Sequence, residues 1–320
     1  MSAPRTRIGS SDLEVFPLSL GGNVFGWTAD EQHSFAVLDG YADAGGNFID
    51  TADGYSAWVP GNHGGESERV IGRWLAHRSD RDQFVIATKV STHPEFKGLA
   101  PANIKAAADA SLGRLQVDHL DLYYAHFDDT TIPIADTVGA LSELVDAGKV
   151  RAIGISNYSP ERIDEWFDAT ERNGLHRAVA LQPHYNLVER DFESGLRERA
   201  ERFGLGVVPY YALASGFLTG KYREGVDVDS PRAGGAAKYL DERGSRVLAT
   251  LDEVAEAHGA SVAAVALAWL REQPTVVAPL ASARTVEQLP SLIESVALQL
   301  TDDEVAALSE ASAVEEDAAA

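Results

Sequence analysis

The chain has 320 residues, 45% of them hydrophobic, and a formal net charge of −22. So acidic a surface repels phosphate backbones and anionic lipid, which argues against nucleic-acid and membrane-surface roles. It contains no cysteine, which excludes disulfides, zinc–thiolate sites and a thiol nucleophile.

The opening "MSAPRTRIGSSDLEVF" lacks the apolar run of a signal peptide. No window offers the long uncharged stretch of a spanning helix. A cytoplasmic protein is therefore expected. No composition break divides the chain, so 1–320 is read as one domain, with flexible ends at 1–6 and 311–320.

The first element is "TRIGSSDLEVF", two strand-like pieces about a turn, read as a hairpin. Eight short apolar runs follow in order: "FPLSLGG", "NFIDTA", "FVIATK", "LDLYYAH", "RAIGISN", "VALQPH", "GVVPYY" and "TVVAPL". Between them lie helix-period segments. They include "DEQHSFAVLDGYADAG", "SERVIGRWLAHR", "ANIKAAADASLGRLQ", "IADTVGALSELVDAGKV", "ERIDEWFDATERNG", "ESGLRERAERFG" and "SVAAVALAWLREQ". Strands alternating with helices imply parallel pairing and right-handed crossovers. Eight such units predict an α/β fold, a closed (β/α)8 TIM barrel whose bottom the N-terminal hairpin covers. The interval from Tyr211 to about Arg243 exceeds one connection and is read as a mobile loop on the functional face.

In a barrel of this kind the chemistry stands at the carboxyl ends of the strands. Run two delivers Asp50, with Tyr55 five residues on; run three delivers Lys89 and run four His126. Each alone has an ordinary reading: a capping aspartate, a lysine reaching solvent, a packed histidine, a surface tyrosine. Together they make a proton-transfer group. An ammonium stabilises a neighbouring phenolate and lowers the phenol's pKa. A carboxylate keeps that ammonium charged, and a histidine positions a substrate oxygen. The expected result is a tyrosine that gives a proton to a carbonyl oxygen near neutral pH.

The ordered motifs "FIDTADGYSAWVPGNHGGESERVIGRWL", "VIATKV", "DLYYAH", "GISNY", "LQPHYNL" and "PYYALASGFLTGKY" resemble the aldo-keto reductase superfamily, most closely its bacterial and potassium-channel β-subunit-like branch. The resemblance runs from about Arg7 to about Leu308. It implies reduction of aldehydes or ketones by direct hydride transfer from NADPH. It also implies a catalytic tetrad of Asp50, Tyr55, Lys89 and His126, with Tyr55 as general acid and base.

A dinucleotide fingerprint of the G-x-G-x-x-G type is absent, so the resemblance supplies the cofactor residues. Gly22, Asn23 and Asp50 lie near the first two strand ends. Ser156, Asn157 and Gln182 would bind the carboxamide, and Tyr210 would stack on the nicotinamide. Tyr211, Ala212, Leu213, Ser215, Gly216 and Lys221 would wrap the pyrophosphate, with Arg232 as a further clamp. Ser282, Arg284 and Gln288 would hold the adenosine end, Arg284 taking a 2′-phosphate. Three departures stand out: Tyr211-Ala212 replaces a common Ser-Pro, Ser282 a usual glycine, and Leu292 a usual asparagine.

Trp27, Trp58 and Phe127, with Tyr55 and His126, are the expected substrate walls; each tryptophan has an equal reading as packing under a loop. No metal is expected, because His93, His126 and His184 form no convincing ligand set. The partner is a small carbonyl substrate, and an oligomer is compatible with the chain. Two other readings stand beside the reductase. One is an NADPH-binding regulatory subunit with little turnover. The other is a carbonyl-lyase using Lys89 as a Schiff base, which a charged Lys89 opposes.

Overall fold

The computed structural model describes residues 4–223, 225–230 and 232–313. Of the ends read as flexible, 1–3 and 314–320 lie outside the described residues. Strands β1 (Thr6–Arg7) and β2 (Glu14–Val15) form an antiparallel hairpin. Then come β3 (Ser19–Gly21), α1 (Glu31–Asp43), β4 (Phe48–Asp50), α2 (Glu66–Ala76) and β5 (Val85–Val90). A second small hairpin, β6 (Thr92–His93) with β7 (Phe96–Lys97), precedes α3 (Pro101–Leu115). Next are β8 (Leu120–Ala125), α4 (Ile134–Asp146), β9 (Val150–Ser156), α5 (Pro160–Asn173), β10 (Ala178–Gln182), α6 (Leu196–Phe203) and β11 (Gly206–Val207). The chain ends with α7 (Ala233–Ala237), α8 (Glu242–His258), α9 (Val262–Arg271), β12 (Leu280–Ala281), α10 (Leu289–Ala297) and α11 (Asp302–Ala311).

Eight of the strands form one parallel sheet in the order β11-β10-β9-β8-β5-β4-β3-β12. Its two ends meet. Val207 N–H donates to Thr275 O, Val277 N–H to Val207 O and Leu280 N–H to Pro209 O, each at 2.9 Å. The sheet is thus a closed (β/α)8 barrel, and every one of the eight apolar runs contributes a barrel strand. All six residues of β5 and all six of β8 are buried. Helices cover one face and the barrel interior the other, so such strands read as unbroken apolar runs.

The helices start and stop on local chemistry. Asp30 accepts from His33 N–H ahead of α1, and Ser159 accepts from Arg162 N–H ahead of α5, where Pro160 takes the first position. Gly174 ends α5 in the left-handed conformation that glycine adopts without strain. The N-terminal hairpin closes the bottom. Gly9 lies so close to β10 and the start of β11 that a Cβ there would meet Val179 O at 2.3 Å. Ile8, Leu13 and Val15 pack with Phe48, Leu122 and Tyr124 in the barrel interior.

The interval read as one long loop is more ordered than that reading. It contains a 3-10 turn, Ala214–Thr219, and the short α7. Gly and Ala let α7 lie close to that turn, with Ala236 fully buried and Gly235 against Ser215. Helices α8 and α11 also fall outside the segments read as helical.

Candidate active site

Asp50 is the last residue of β4 and Lys89 the fifth of β5, and neither side chain touches solvent. Lys89 Nζ donates to Asp50 Oδ1 at 2.5 Å, to Thr51 O at 2.8 Å and to Tyr55 Oη at 3.1 Å. All three ammonium protons therefore have acceptors. The other Asp50 oxygen accepts from Gln182 Nε2 at 2.9 Å. The Tyr55 loop is tied down on both sides of the tyrosine. Asp53 N–H donates to Lys89 O at 3.1 Å, and Ser56 Oγ donates to Phe25 O at 2.9 Å.

Burial alone would push the Lys89 ammonium down; Asp50 and then Tyr55 reverse this, and its pKa is raised. Burial pushes the Asp50 carboxyl up against Lys89 and Gln182. Its hydrogen bonds are all from donors, the arrangement an ionised carboxylate needs, so we describe the two as a buried ion pair. Tyr55 departs from the sequence-based expectation. Burial lifts the phenol above its ordinary value, and Lys89 opposes that rise without overturning it. The group is therefore a protonated phenol at neutral pH, suited to donating.

His126 follows β8, with its N–H on Val90 O at 3.0 Å and its ring 6.2 Å from that of Tyr55. Burial, then Lys89, hold its imidazole well below the usual pKa, so it is neutral. Its Nδ1 is buried without a partner. A cavity of about 860 Å3 opens above these groups, with Trp27, Trp58, Phe127, Tyr210 and Tyr211 in its walls. Trp27 and Trp58 meet edge-to-face at 5.6 Å, and Trp58 meets Tyr55 the same way at 6.2 Å.

A second cavity of about 280 Å3 adjoins the first. Its walls include Asn23, Ala212, Leu213, Gly216 and Lys221, and also Ser282, Arg284 and Gln288. Tyr211, Ser215 and Arg232 border both cavities. Ser282 Oγ donates to Asn23 Oδ1 at 2.6 Å, and Arg284 N–H to Gln288 Oε1 at 2.8 Å. Leu292, at the position of a usual asparagine, is buried against the groove. Arg232 crosses above Trp27 at 5.9 Å, and its Nη2 is buried with no partner. An elongated groove with an orphaned guanidinium nitrogen, Lys221 and Arg284 fits a phosphate-bearing ligand.

The carboxamide candidates sit together but are paired with one another. Ser156 Oγ donates to Gln182 O at 2.8 Å; Asn157 Nδ2 donates to His126 O at 2.8 Å and to Ser156 Oγ at 3.0 Å. Tyr210 Oη donates to Asn157 Oδ1 at 2.8 Å. Gly22 and Ser156 border neither cavity; Gly22 packs beneath Asp50 O and Ser67 Oγ. Sequence reasoning weighed His184 only as a metal ligand, whereas it stacks on Tyr210 at 5.3 Å, and it overlooked Asn186, whose Nδ2 donates to Tyr211 O at 2.9 Å. Both stand in the quoted "LQPHYNL", within four residues of Gln182.

The family model for the Aldo/keto reductase family matches residues 17–313. The chain belongs to the aldo/keto reductase family. Its relatives include Protein tas of Escherichia coli strain K12, 34% identical over 94% of this chain and 95% of that protein. Norsolorinic acid reductase B of Aspergillus parasiticus is 32% identical over 94% and 82%, respectively. Aldo-keto reductase YhdN of Bacillus subtilis is 33% identical over 90% and 86%. As an aldo/keto reductase the chain is an oxidoreductase of a family that uses nicotinamide cofactors on small carbonyl compounds. Among the described residues, no helix is long and apolar enough to cross a membrane.

Proposed function

We propose that this aldo/keto reductase reduces aldehydes or ketones to alcohols with NADPH, Tyr55 donating the proton. The observation carrying this reading is the continuous chain from Gln182 through Asp50 and Lys89 to Tyr55, which ends at the floor of the aromatic cavity. When bound, the nicotinamide supplies hydride to the carbonyl carbon. Tyr55 gives its proton to the carbonyl oxygen, and Lys89 stabilises the phenolate left behind. Asp50 keeps Lys89 charged and aimed. Neutral His126 positions the same oxygen, and the aromatic walls exclude water.

The groove residues divide by chemistry. Backbone amides of Ala212, Leu213 and Ser215, with Lys221 and Arg232, would hold the pyrophosphate, and Arg284 would hold a 2′-phosphate, which favours NADPH over NADH. Asn157 and Gln182, which line the cavity, would hold the carboxamide, with Ser156 bonded behind them, and Tyr210 would offer the ring face opposite His184. The test is Tyr55→Phe. It removes turnover of 4-nitrobenzaldehyde while NADPH fluorescence still reports binding. Retained turnover in that variant would overturn the assignment, and tight NADPH binding by the unaltered protein without turnover of any carbonyl would favour a regulatory role.

A further inference from the structure

Tyr55 and Trp58 stand on the segment between β4 and α2, and Trp27 on the segment between β3 and α1. Both segments are loops, yet their rings meet in edge-to-face pairs at the cavity wall. Burial of the wall does not hold the loops in register, since Trp58 is 53% exposed. The tie is the side chain of Asn62. Its Nδ2 carries two hydrogens, and each goes to a main-chain carbonyl, Gly26 O at 3.0 Å and Ser56 O at 3.0 Å. Gly26 is the residue before Trp27, and Ser56 is the residue after Tyr55. One amide thus joins the root of the aromatic wall to the neighbour of the proton donor.

Both carbonyls are aimed by left-handed backbone. Gly26 has φ +73°, and a Cβ there would meet Glu66 Cβ at 2.9 Å. Ser56 is fully buried with φ +68°, and its hydroxyl donates to Phe25 O at 2.9 Å. A serine rarely adopts that conformation, so its surroundings must hold it there. Asn62 is itself fixed within its loop. Its N–H donates to Val59 O at 3.0 Å, and Val59 N–H donates to Ser56 O at 3.1 Å. Glu66 secures the next turn, accepting from His63 N–H at 2.8 Å and from Gly64 N–H at 2.9 Å.

We propose that Asn62 is a positioning residue for the reaction. It holds the Tyr55 turn against the Trp27 loop, so that the phenol and the Trp27–Trp58 wall keep one mutual geometry. Asn62 lines neither cavity and acts only through Gly26 and Ser56. The inference rests on the carbonyl-reductase reading.

Two variants test it. Asn62→Ala removes both donors. Asn62→Asp keeps the shape, but its carboxylate sets oxygen against two carbonyl oxygens; protonation returns one donor. Rates with 4-nitrobenzaldehyde and saturating NADPH give kcat. Both variants should lose about tenfold at pH 8, as a displaced catalytic group does, with NADPH affinity by fluorescence titration shifted less than twofold. The Asn62→Asp rate, divided by that of the unaltered protein, should climb as pH falls from 8 to 5, while the Asn62→Ala ratio stays flat. The division cancels titrations common to both proteins, such as those of His63 and of His93, which lies against Gly64. A flat Asn62→Asp ratio overturns the proposal, and so does full kcat in Asn62→Ala. Fluorine spectra of 5-fluorotryptophan protein give a readout without turnover. The Trp58 resonance, assigned by its loss in Trp58→Phe, should move in Asn62→Ala while those of the fully buried Trp166 and Trp269 stay. An unmoved Trp58 resonance overturns the proposal. If the unaltered protein binds NADPH but reduces no carbonyl, the reductase reading fails, and the fluorine spectra still decide whether Asn62 holds the wall.

Discussion

Gln182 and Asp50, the last residues of β10 and β4, meet across the barrel mouth: the Gln182 amide donates 2.9 Å to the carboxylate oxygen that Lys89 leaves free. Gln182→Leu strips that donor and leaves a buried acceptor unsatisfied. A loss of about 1–3 kcal/mol in unfolding free energy is expected, measured by urea denaturation. A loss near zero would mean that water or another donor already serves that oxygen.

The ion pair beneath it makes a sharper prediction. Lys89→Met leaves the Asp50 charge alone in a site without solvent. Removing one partner of a buried pair costs about 3–5 kcal/mol. Adding Asp50→Asn to that variant removes the stranded charge, so the double variant should recover much of the loss. Equal instability of the single and double variants would show that charge is not what the pair contributes.

Asp53 gives a dependence on pH. Burial, with Glu68 close by, lifts its carboxyl to about 7, well above the ordinary carboxylate range. Between that range and this value the unfolded chain releases this proton and the folded chain keeps it. Stability from this group therefore falls as pH rises from about 4 to about 7, by up to about 1.4 kcal/mol for each pH unit, and is flat above. Asp53→Asn cannot ionise. Its melting temperature relative to the unaltered protein should improve from pH 5 to about pH 7 and level off above. A constant difference across that range would rule out the titration.

Arg284→Ala tests the cofactor end. A guanidinium bond to phosphate contributes about 1.5–3 kcal/mol, so NADPH affinity should drop roughly ten- to hundredfold. NADH, which lacks the 2′-phosphate, should lose far less. Paired fluorescence titrations decide it, and parallel losses would place Arg284 elsewhere on the ligand.

The strand pattern carried the architecture because parallel barrel strands are buried on both faces and leave an unbroken apolar signature. Asp50 and Lys89 were legible as polar residues directly after such runs. The bond from Gln182 to Asp50 was not, since it joins positions 132 apart and depends on the barrel closing. Nor was the balance at Tyr55, where the sequence reveals the neighbouring lysine but not how completely the fold withdraws the phenol from water. Arg232 shows the same limit. Its sequence surroundings "SPRAGGA" read as loop, and only α7 and Trp27 explain where its guanidinium lies. Tyr211 stood out as a departure from pattern, but its left-handed backbone and the Asn186 clasp are properties of the folded chain.

The ring of strands is sealed between β11 and the 275–280 segment by three main-chain bonds, whereas β8 and β9 pair at five register positions. A short seam of this kind opens more readily under thermal motion than the long β8–β9 pairing. The wrapping segment after Tyr210 leaves from one lip, and the Ser282–Gln288 segment leaves from the other. A dinucleotide lying across both would act as a stitch, so its arrival should slow amide exchange at Val207, Val277 and Leu280 before any residue of the opposite wall responds.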